Sequence, residues 1–349
     1  MTPIAQPEIP LSKPALPNPA AAPTTARSFR SLLGNQQIVL LLVYLTMVAF
    51  FTWRNHIFFS TAVFGNILAD FGPVALIAAG QMYVIVSGGI DLSVGYNLGF
   101  CGVVSALAMR SLTTNGWGAN ITLVLGVLVA VATGTFVGLI NAFLINRAKL
   151  VPFISTLITL GACAGLSIVF TGGGPVGGGP SNAIRLTVPF LGPLSRPVLV
   201  VLVVVLIAGL FLHLSRFGRY TFAIGSNSFA ARGAGINVTR HITKVYALSG
   251  FLAGLAGFYF YMRLGAGAPS TGAGNELDAI AAVVIGGAAL TGGFGRMAGT
   301  VLGVLMITTV TSGLIIIGIA PNWKRVVVAI LIAIAATVQS LRKTEGRTA

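Results

Sequence analysis

Apolar residues run along this chain in long blocks, separated by short polar or glycine-rich connections. Windows of about 20 residues, long enough to cross a bilayer as a helix, recur at 37–54, 66–87, 92–110, 119–145, 153–170, 197–214, 243–263, 278–294, 297–318 and 324–341. A helix that is apolar on all sides belongs in lipid or in the middle of a bundle. The pattern therefore predicts an all-α, polytopic transmembrane helical bundle of about ten helices. The third and eighth windows break the rule. The third begins directly after Ile90-Asp91, and the eighth is short and interrupted by glycine. One or both would then be a discontinuous or re-entrant segment, which a membrane tolerates where the backbone is buried in protein or lines a cavity.

Composition agrees. Of 349 residues, 55% are hydrophobic and 8% charged, and the mean hydropathy is +0.93. A soluble domain carries about 25% charged residues to build its polar shell. Residues 1–26 hold seven prolines and many alanines, with neither a basic start nor an apolar core. That reads as a disordered tail, not a secretory signal. The expected division is a disordered Pro/Ala-rich tail over 1–36, a transmembrane domain over 37–342 and a short C-terminal tail over 343–349.

The formal net charge of +15 raises nucleic-acid binding as a question, but the basic residues sit in the gaps between apolar runs and form no basic face. Loop charge instead sets orientation. With the N-terminus in the cytoplasm and ten crossings, Lys13, Arg27, Arg30, Arg147, Lys149, Arg216, Arg219, Arg232, Arg240, Lys244, Arg296, Arg342, Lys343 and Arg347 fall inside. Only Arg54, Arg110, Arg185, Arg196, Arg263, Lys324 and Arg325 fall outside. Both termini are expected in the cytoplasm.

Glycines recur at four-residue spacing inside the predicted helices: Gly134/Gly138, Gly161/Gly165, Gly250/Gly254 and Gly295/Gly299/Gly303. Such pairs let helix backbones approach closely in lipid, so they predict a tightly packed bundle. A faint internal echo sets Ser87-Gly88-Gly89-Ile90-Asp91-Leu92 beside Ile285-Gly286-Gly287-Ala288-Ala289-Leu290, a weak sign of a repeat.

Polar side chains within membrane segments are expensive, so they are the candidates for chemistry. Asn66, Asp70 and Gln81 fall in the second window, Asp91, Ser93 and Asn97 around the start of the third, and Asn141 near the end of the fourth. Two readings stand side by side: interhelical hydrogen bonds that hold the bundle together, or a polar lining and gate for a hydroxyl-rich solute. Asp91 and the cluster Asn275-Glu276-Leu277-Asp278 are also placed to cap the helices that follow them. Asn275, Glu276 and Asp278 carry the further possibility of a negative outer mouth that docks a partner. Between 215 and 242 lies a basic connection without an acid. Within it, Phe229, Ala230, Ala231 and Arg232 predict a short helix stopped by Gly233 and Gly235. Ala-Ala would give it a smooth surface for a groove on another protein; the alternative is a basic helix lying on anionic lipid.

Cys101 and Cys163 lie inside apolar runs and read as small packing residues. His56, His213 and His241 lie in unrelated segments, so no metal-ligand spacing is present. The chain has no Gly-x-x-x-x-Gly-Lys-[Ser/Thr] phosphate loop, so ATP would have to be handled elsewhere. No nucleophile–base pair suggests an enzyme.

Several longer motifs then fall together. Gly88-Gly89-Ile90-Asp91-Leu92-Ser93-Val94-Gly95, the run from Gly274-Asn275-Glu276 to Ile285-Gly286-Gly287, and Thr291-Gly292-Gly293-Phe294-Gly295-Arg296 resemble the permeases of ribose/xylose/arabinose-type ABC importers. So do Gly138-Leu139-Ile140-Asn141, Pro152-Phe153-Ile154-Ser155 and the 217–238 connection, and the resemblance runs from about residue 60 to the C-terminus. It implies a bacterial inner-membrane subunit with several partners. These are a second permease copy, identical or not, a cytoplasmic ATP-binding subunit that holds ATP-Mg, and a periplasmic sugar-binding protein. This chain itself would hold no cofactor. Ser226, Asn227, Phe229, Ala230, Ala231, Arg232, Gly233, Gly235 and Ile236 would be the segment coupled to the ATPase. The family usually has leucine or a similar residue and then a small polar residue after the coupling arginine, whereas Gly233-Ala234 stand here. A permease for a polyol, a branched-chain amino acid or a signalling furanose remains the nearest alternative, and a secondary transporter the next.

Overall fold

In the computed structural model, the described residues are 36–320, 322–331 and 333. The N-terminal tail predicted to be disordered, except Gln36, which begins a helix, the C-terminal tail and most of the second half of the tenth window lie outside them. The helices are α1 (Gln36–Arg54), α2 (Thr61–Val86), α3 (Val94–Thr114), α4 (Ala119–Asn146), α5 (Pro152–Thr171), α6 (Asn182–Arg185), α7 (Arg196–Leu214), α8 (Arg216–Ser226), α9 (Ser228–Gly233), α10 (Val238–Leu264), α11 (Asn275–Ile285) and α12 (Met297–Ile316). A 3₁₀ turn spans His56–Phe59, and a further helix, α13, covers 323–331. Two short antiparallel strands, β1 (Pro189–Leu191) and β2 (Leu194–Ser195), form a hairpin before α7.

Among the described residues, seven helices are long and apolar enough to cross a membrane: α1, α2, α4, α5, α7, α10 and α12. The all-α bundle is as expected, while the count of ten is reached only by adding the two irregular windows and the partly described last one. In the third window the helix starts only at Val94. The eighth holds an 11-residue helix, about 16 Å at 1.5 Å per residue and so about half a hydrocarbon core.

Burial divides the bundle into centre and rim. Of the most apolar window of each helix, 72% is buried in α10, 67% in α12 and 61% in α2, against 6% in α1 and 28% in α5. The central helices meet through glycine. A side chain at Gly134 would run into the Gly250 carbonyl and lie 2.8 Å from the Gly254 nitrogen. A side chain at Gly254 would lie 2.5 Å from the Ala130 oxygen. The pairs on α4 and α10 thus bring those two backbones together. Gly299 and Gly303 do the same for α12 against Gly286 and Ala282 of α11. Gly161 and Gly165 differ: nothing lies within 4 Å of either, and both are exposed on α5.

Connections predicted for the same side of the membrane touch one another. At one end, Asn146 at the close of α4 donates to the Thr239 carbonyl at the start of α10 (3.1 Å). At the other, Val176 and Gly267 exchange backbone hydrogen bonds of 2.8 and 2.9 Å, Asn182 donates to Asn120 (3.1 Å), and Asn55 donates to the Ile316 carbonyl (3.3 Å). The three tryptophans, Trp53, Trp117 and Trp323, are all exposed and all lie at this second end, where amphipathic rings favour a membrane–water boundary.

Candidate functional site: a buried polar cluster, two glycine turns and a surface helix

α2 and α11 end in the same way. After α2, Gly88 N–H bonds to the Ile85 carbonyl and Gly89 N–H to that of Val84; after α11, Gly287 bonds to Val284 and Ala288 to Val283. Each is a Schellman closure, which needs a left-handed residue just past the helix, and only glycine adopts that conformation without strain. Gly88 has φ +87° and Gly287 φ +92°. The same closure also ends α3 at Gly116, α9 at Gly235 and α12 at Gly318, so it does not by itself mark a repeat; between the two echoed segments, Gly88 corresponds to Gly287, not Gly286. Hydrogen-bond geometry sets the correspondence, and residue identity alone had aligned the wrong glycines.

From the first turn the chain doubles back into the bundle. With its amide nitrogen facing the Asp91 carbonyl, Gln81 donates to that oxygen (3.0 Å) and accepts the Asp91 N–H (3.2 Å), bracing the returning segment against α2. The Asp91 carboxylate accepts from the Ser93 N–H (3.0 Å), the Ser93 hydroxyl (2.5 Å) and, on its other oxygen, the Ser249 hydroxyl of α10 (2.9 Å). Asn141 of α4 donates to Ser93 Oγ (2.9 Å), and Thr159 of α5 donates to Asn141 Oδ1 (2.6 Å). Asn97 donates to the Gly134 carbonyl (3.4 Å). Gln81, Asp91, Ser93, Asn97 and Asn141 are each at most 1% exposed. Four of the seven sequence candidates, Gln81, Asp91, Ser93 and Asn141, thus join one buried network across α2, the start of α3, α4, α5 and α10, while Asn97 is buried one turn further along α3 on its own bond to α4. Thr159 and Ser249 belong to it but were missed. A lone serine or threonine in an apolar run carries no signal until its neighbours are known.

Capping works differently from expectation. Ser93, not Asp91, occupies the N-cap of α3, and Gly274, not Asn275, that of α11. Asp91 lies two residues outside α3, drawn off by Ser249. Glu276 reaches back to the Gly274 N–H (3.1 Å), and its negative charge still suits the first turn of α11.

The other two candidates lie elsewhere. Asp70 pairs with Arg263 of α10 at 2.5 Å, both about one-third exposed, and Asn66 is exposed in the first half of α2. The negative outer mouth does not form as drawn. Glu276 and Asp278 are each 8% exposed, and Asp278 is neutralised by Lys324 at 2.6 Å. The 265–274 segment folds back along α3, where Gly99 and Gly102 face Thr271 and Gly267. Glu276 consequently lies beside Gly95, at the start of α3 and well below the outer loops. Asn275 is half-buried and Leu277 exposed.

The surface helix forms as predicted, with two corrections. Asn227 caps α9, accepting the Phe229 and Ala230 N–H groups at 3.0 Å. The stop is at Gly235 alone, since Gly233 is the last helical residue and Ala234 the C-cap. Ala231 is not part of a smooth outer surface: it is 5% exposed and packs with Ile224 and Val238. Phe229 faces away and is 85% exposed, and Ala230 and Arg232 are exposed beside it. α8 holds α9 in place: Ser215 caps α8 at the Gly218 N–H (3.1 Å), and Thr221 of α8 hydrogen-bonds His241 of α10 (2.8 Å).

Comparison with known proteins is consistent with these features. Residues 63–336 match the family model described as branched-chain amino acid transport system / permease component. The chain is 35% identical over 307 residues to the ribose import permease of Escherichia coli K12, covering 87% of this chain and 93% of that protein. It is 39% identical over 273 residues to the ribose import permease of Bacillus subtilis 168, covering 77% and 82%. With the galactose/methyl galactoside import permease of Escherichia coli K12 it shares 32% over 311 residues, covering 86% and 93%. No solved structure matches. A multi-pass bundle, the glycine–aspartate turn and this span of similarity place the chain in one family: it belongs to the permease subunits of ribose-type ABC importers.

Proposed function

We propose that this chain is the bilayer-spanning half of an importer that carries a monosaccharide of the pentose or hexose class into the cytoplasm. ATP is held and hydrolysed, with Mg²⁺, on separate subunits. The sugar class rests on the relatives, which are ribose and galactose permeases. A branched-chain amino acid is the second reading, favoured by the description of the family model.

The observation that carries the coupling role is Phe229. A phenylalanine 85% exposed, on a capped helix held by its own neighbours and away from the apolar belt, is a large apolar surface offered to a partner. Arg232 beside it adds positive charge. The partner surface that fits is an apolar pocket with an acidic rim on the ATPase subunit. ATP then works by binding one conformation of the assembly better than the other. α9 faces the cytoplasm, both termini lie there, and the Trp53/Trp117/Trp323 end faces outward in the bacterial inner membrane, where a sugar-binding protein delivers the solute.

A second permease subunit completes the pathway. Gly161 and Gly165 on the exposed face of α5 support that reading: every other four-residue glycine pair within a helix packs against a neighbouring element, and a bare pair gains little against lipid. Gln81, Asp91, Ser93, Asn97 and Asn141 act as a gate that holds the returning segment. Asn66 and Asp70 remain the polar positions nearest an outward-open solute, and Asn275 the outward-facing member of its cluster.

Phe229→Glu tests the coupling role. The expected result is that the variant reaches the membrane folded but loses co-purification with the ATPase subunit by about tenfold or more, the loss of one well-buried aromatic anchor. Wild-type recovery of the ATPase with this variant would refute it.

A further inference from the structure

Three backbone segments from distant parts of the chain meet at one point beneath the coupling helix. The first is the close of α2, Val86–Gly88. The second is Gly292–Gly293, in the return from α11 to α12. The third is Gly225–Ser226, the last residues of α8, which lead through Asn227 directly into α9. Gly293 N–H donates to the Val86 carbonyl at 2.9 Å. A side chain at Gly225 would collide with that same carbonyl and lie 2.6 Å from the Gly293 nitrogen. One at Gly292 would lie 3.0 Å from Gly88 Cα, and one at Gly293 would lie 2.9 Å from Ser226 Cα. The closest approaches are backbone on backbone, apart from the Ser226 hydroxyl, which would lie 2.5 Å from a side chain at Gly293, so little side chain stands between the parts to absorb a displacement.

Val86–Gly88 leads directly into the segment that carries Asp91, and Gly292–Gly293 leads to α12. Packed groups without intervening voids transmit strain instead of deforming around it. Building on the coupling reading above, we propose that Gly88, Gly225, Gly292 and Gly293 form the transmission joint of this permease. They act as positioning residues through which a displacement of α9 reaches the Asp91 gate and the α11–α12 half of the bundle together. The joint ties one movement to the turn after α2 and to the return that leads from α11 to α12.

The test uses the permease assembled with its ATPase and binding protein in proteoliposomes. Gly225→Ala puts a methyl group against the Val86 carbonyl. It is expected to keep ATPase recruitment at the wild-type level while sugar uptake falls about tenfold or more, since the two states of the gate are no longer biased together. Gly118→Ala, at an outer turn with nothing within 4 Å, should leave both unchanged. Because Gly225→Ala can instead fail to fold, hydrogen exchange on the unaltered complex gives a second readout. Adding a non-hydrolysable ATP analogue should change the protection of 86–93 and 286–295 along with that of 226–236. Uptake undiminished in folded Gly225→Ala, or exchange that changes at 226–236 and at neither turn, overturns the joint while leaving the coupling helix standing. Loss of ATPase recruitment by Gly225→Ala would also overturn it, by showing a docking defect in place of a transmission defect. Insensitivity of recruitment to Phe229→Glu would instead remove the reading on which the joint rests.

Discussion

Asp91 shows what a carboxylate does in the middle of a membrane protein when no cation lies beside it. Its oxygens take three donors, from Ser93 and Ser249, and the cost of burying it is offset only while those donors are in place. Ser249→Ala removes the link to α10 and should lower stability by about 0.5–2 kcal/mol, the range for interhelical hydrogen bonds in membranes. Asp91→Leu strands Ser93 and Ser249 as well and should cost more, about 2–4 kcal/mol from several unsatisfied groups. Thermal unfolding of the detergent-solubilised permease measures both. Equal stability of Asp91→Leu and wild type would remove the network from the account. Asp91, Ser93 and Asn141 were legible as candidates because intramembrane polar residues are scarce. Their partners were not, because Ser249 meets Asp91, 158 residues away, and Thr159 meets Asn141, 18 residues away, only once the bundle has packed. Ala231 misled for the related reason that a small apolar residue on a short amphipathic helix looks the same from sequence whether it faces in or out.

At the scale of the element, glycine spacing does two jobs. Gly134 and Gly250 meet within the chain, so Gly134→Leu forces α4 off α10. It should destabilise the fold by several kcal/mol, as overpacking against backbone leaves no side chain free to move. Gly161→Leu adds bulk where nothing lies within 4 Å. It should leave unfolding temperature unchanged and weaken association of two permeases, read by cross-linking in membranes. A fall in stability without a change in association would place that face in lipid alone. The regular spans were legible because a block of about 20 apolar residues has few other uses. The broken ones were legible only as irregularities. That α3 begins after a seven-residue return, or that 265–274 dips back beside α3, depends on close glycine contacts between segments that hydropathy cannot register. The one-residue shift of the echo has the same origin.

For the whole molecule, a buried core of α2, α10 and α12 is surrounded by a looser rim, and α9, the proposed coupling helix, stands at one end of it. On the proposed coupling role, a 6-residue surface helix would reach the centre of the bundle by two routes: α8 anchors it to α10, and the Gly225–Ser226 backbone touches the close of α2 and Gly293. Loop charge gave an orientation and the grouping of the connections at two ends agrees with a chain that alternates sides, but which solute passes is written in neither. The direct measurement is uptake by proteoliposomes that hold the permease, its ATPase subunit and its binding protein, offered labelled ribose, galactose and leucine in turn. The account expects ATP-dependent accumulation of a pentose or hexose, abolished by Phe229→Glu, and no accumulation of leucine. Accumulation of leucine in preference to either sugar, or sugar uptake that persists without the ATPase, would contradict it.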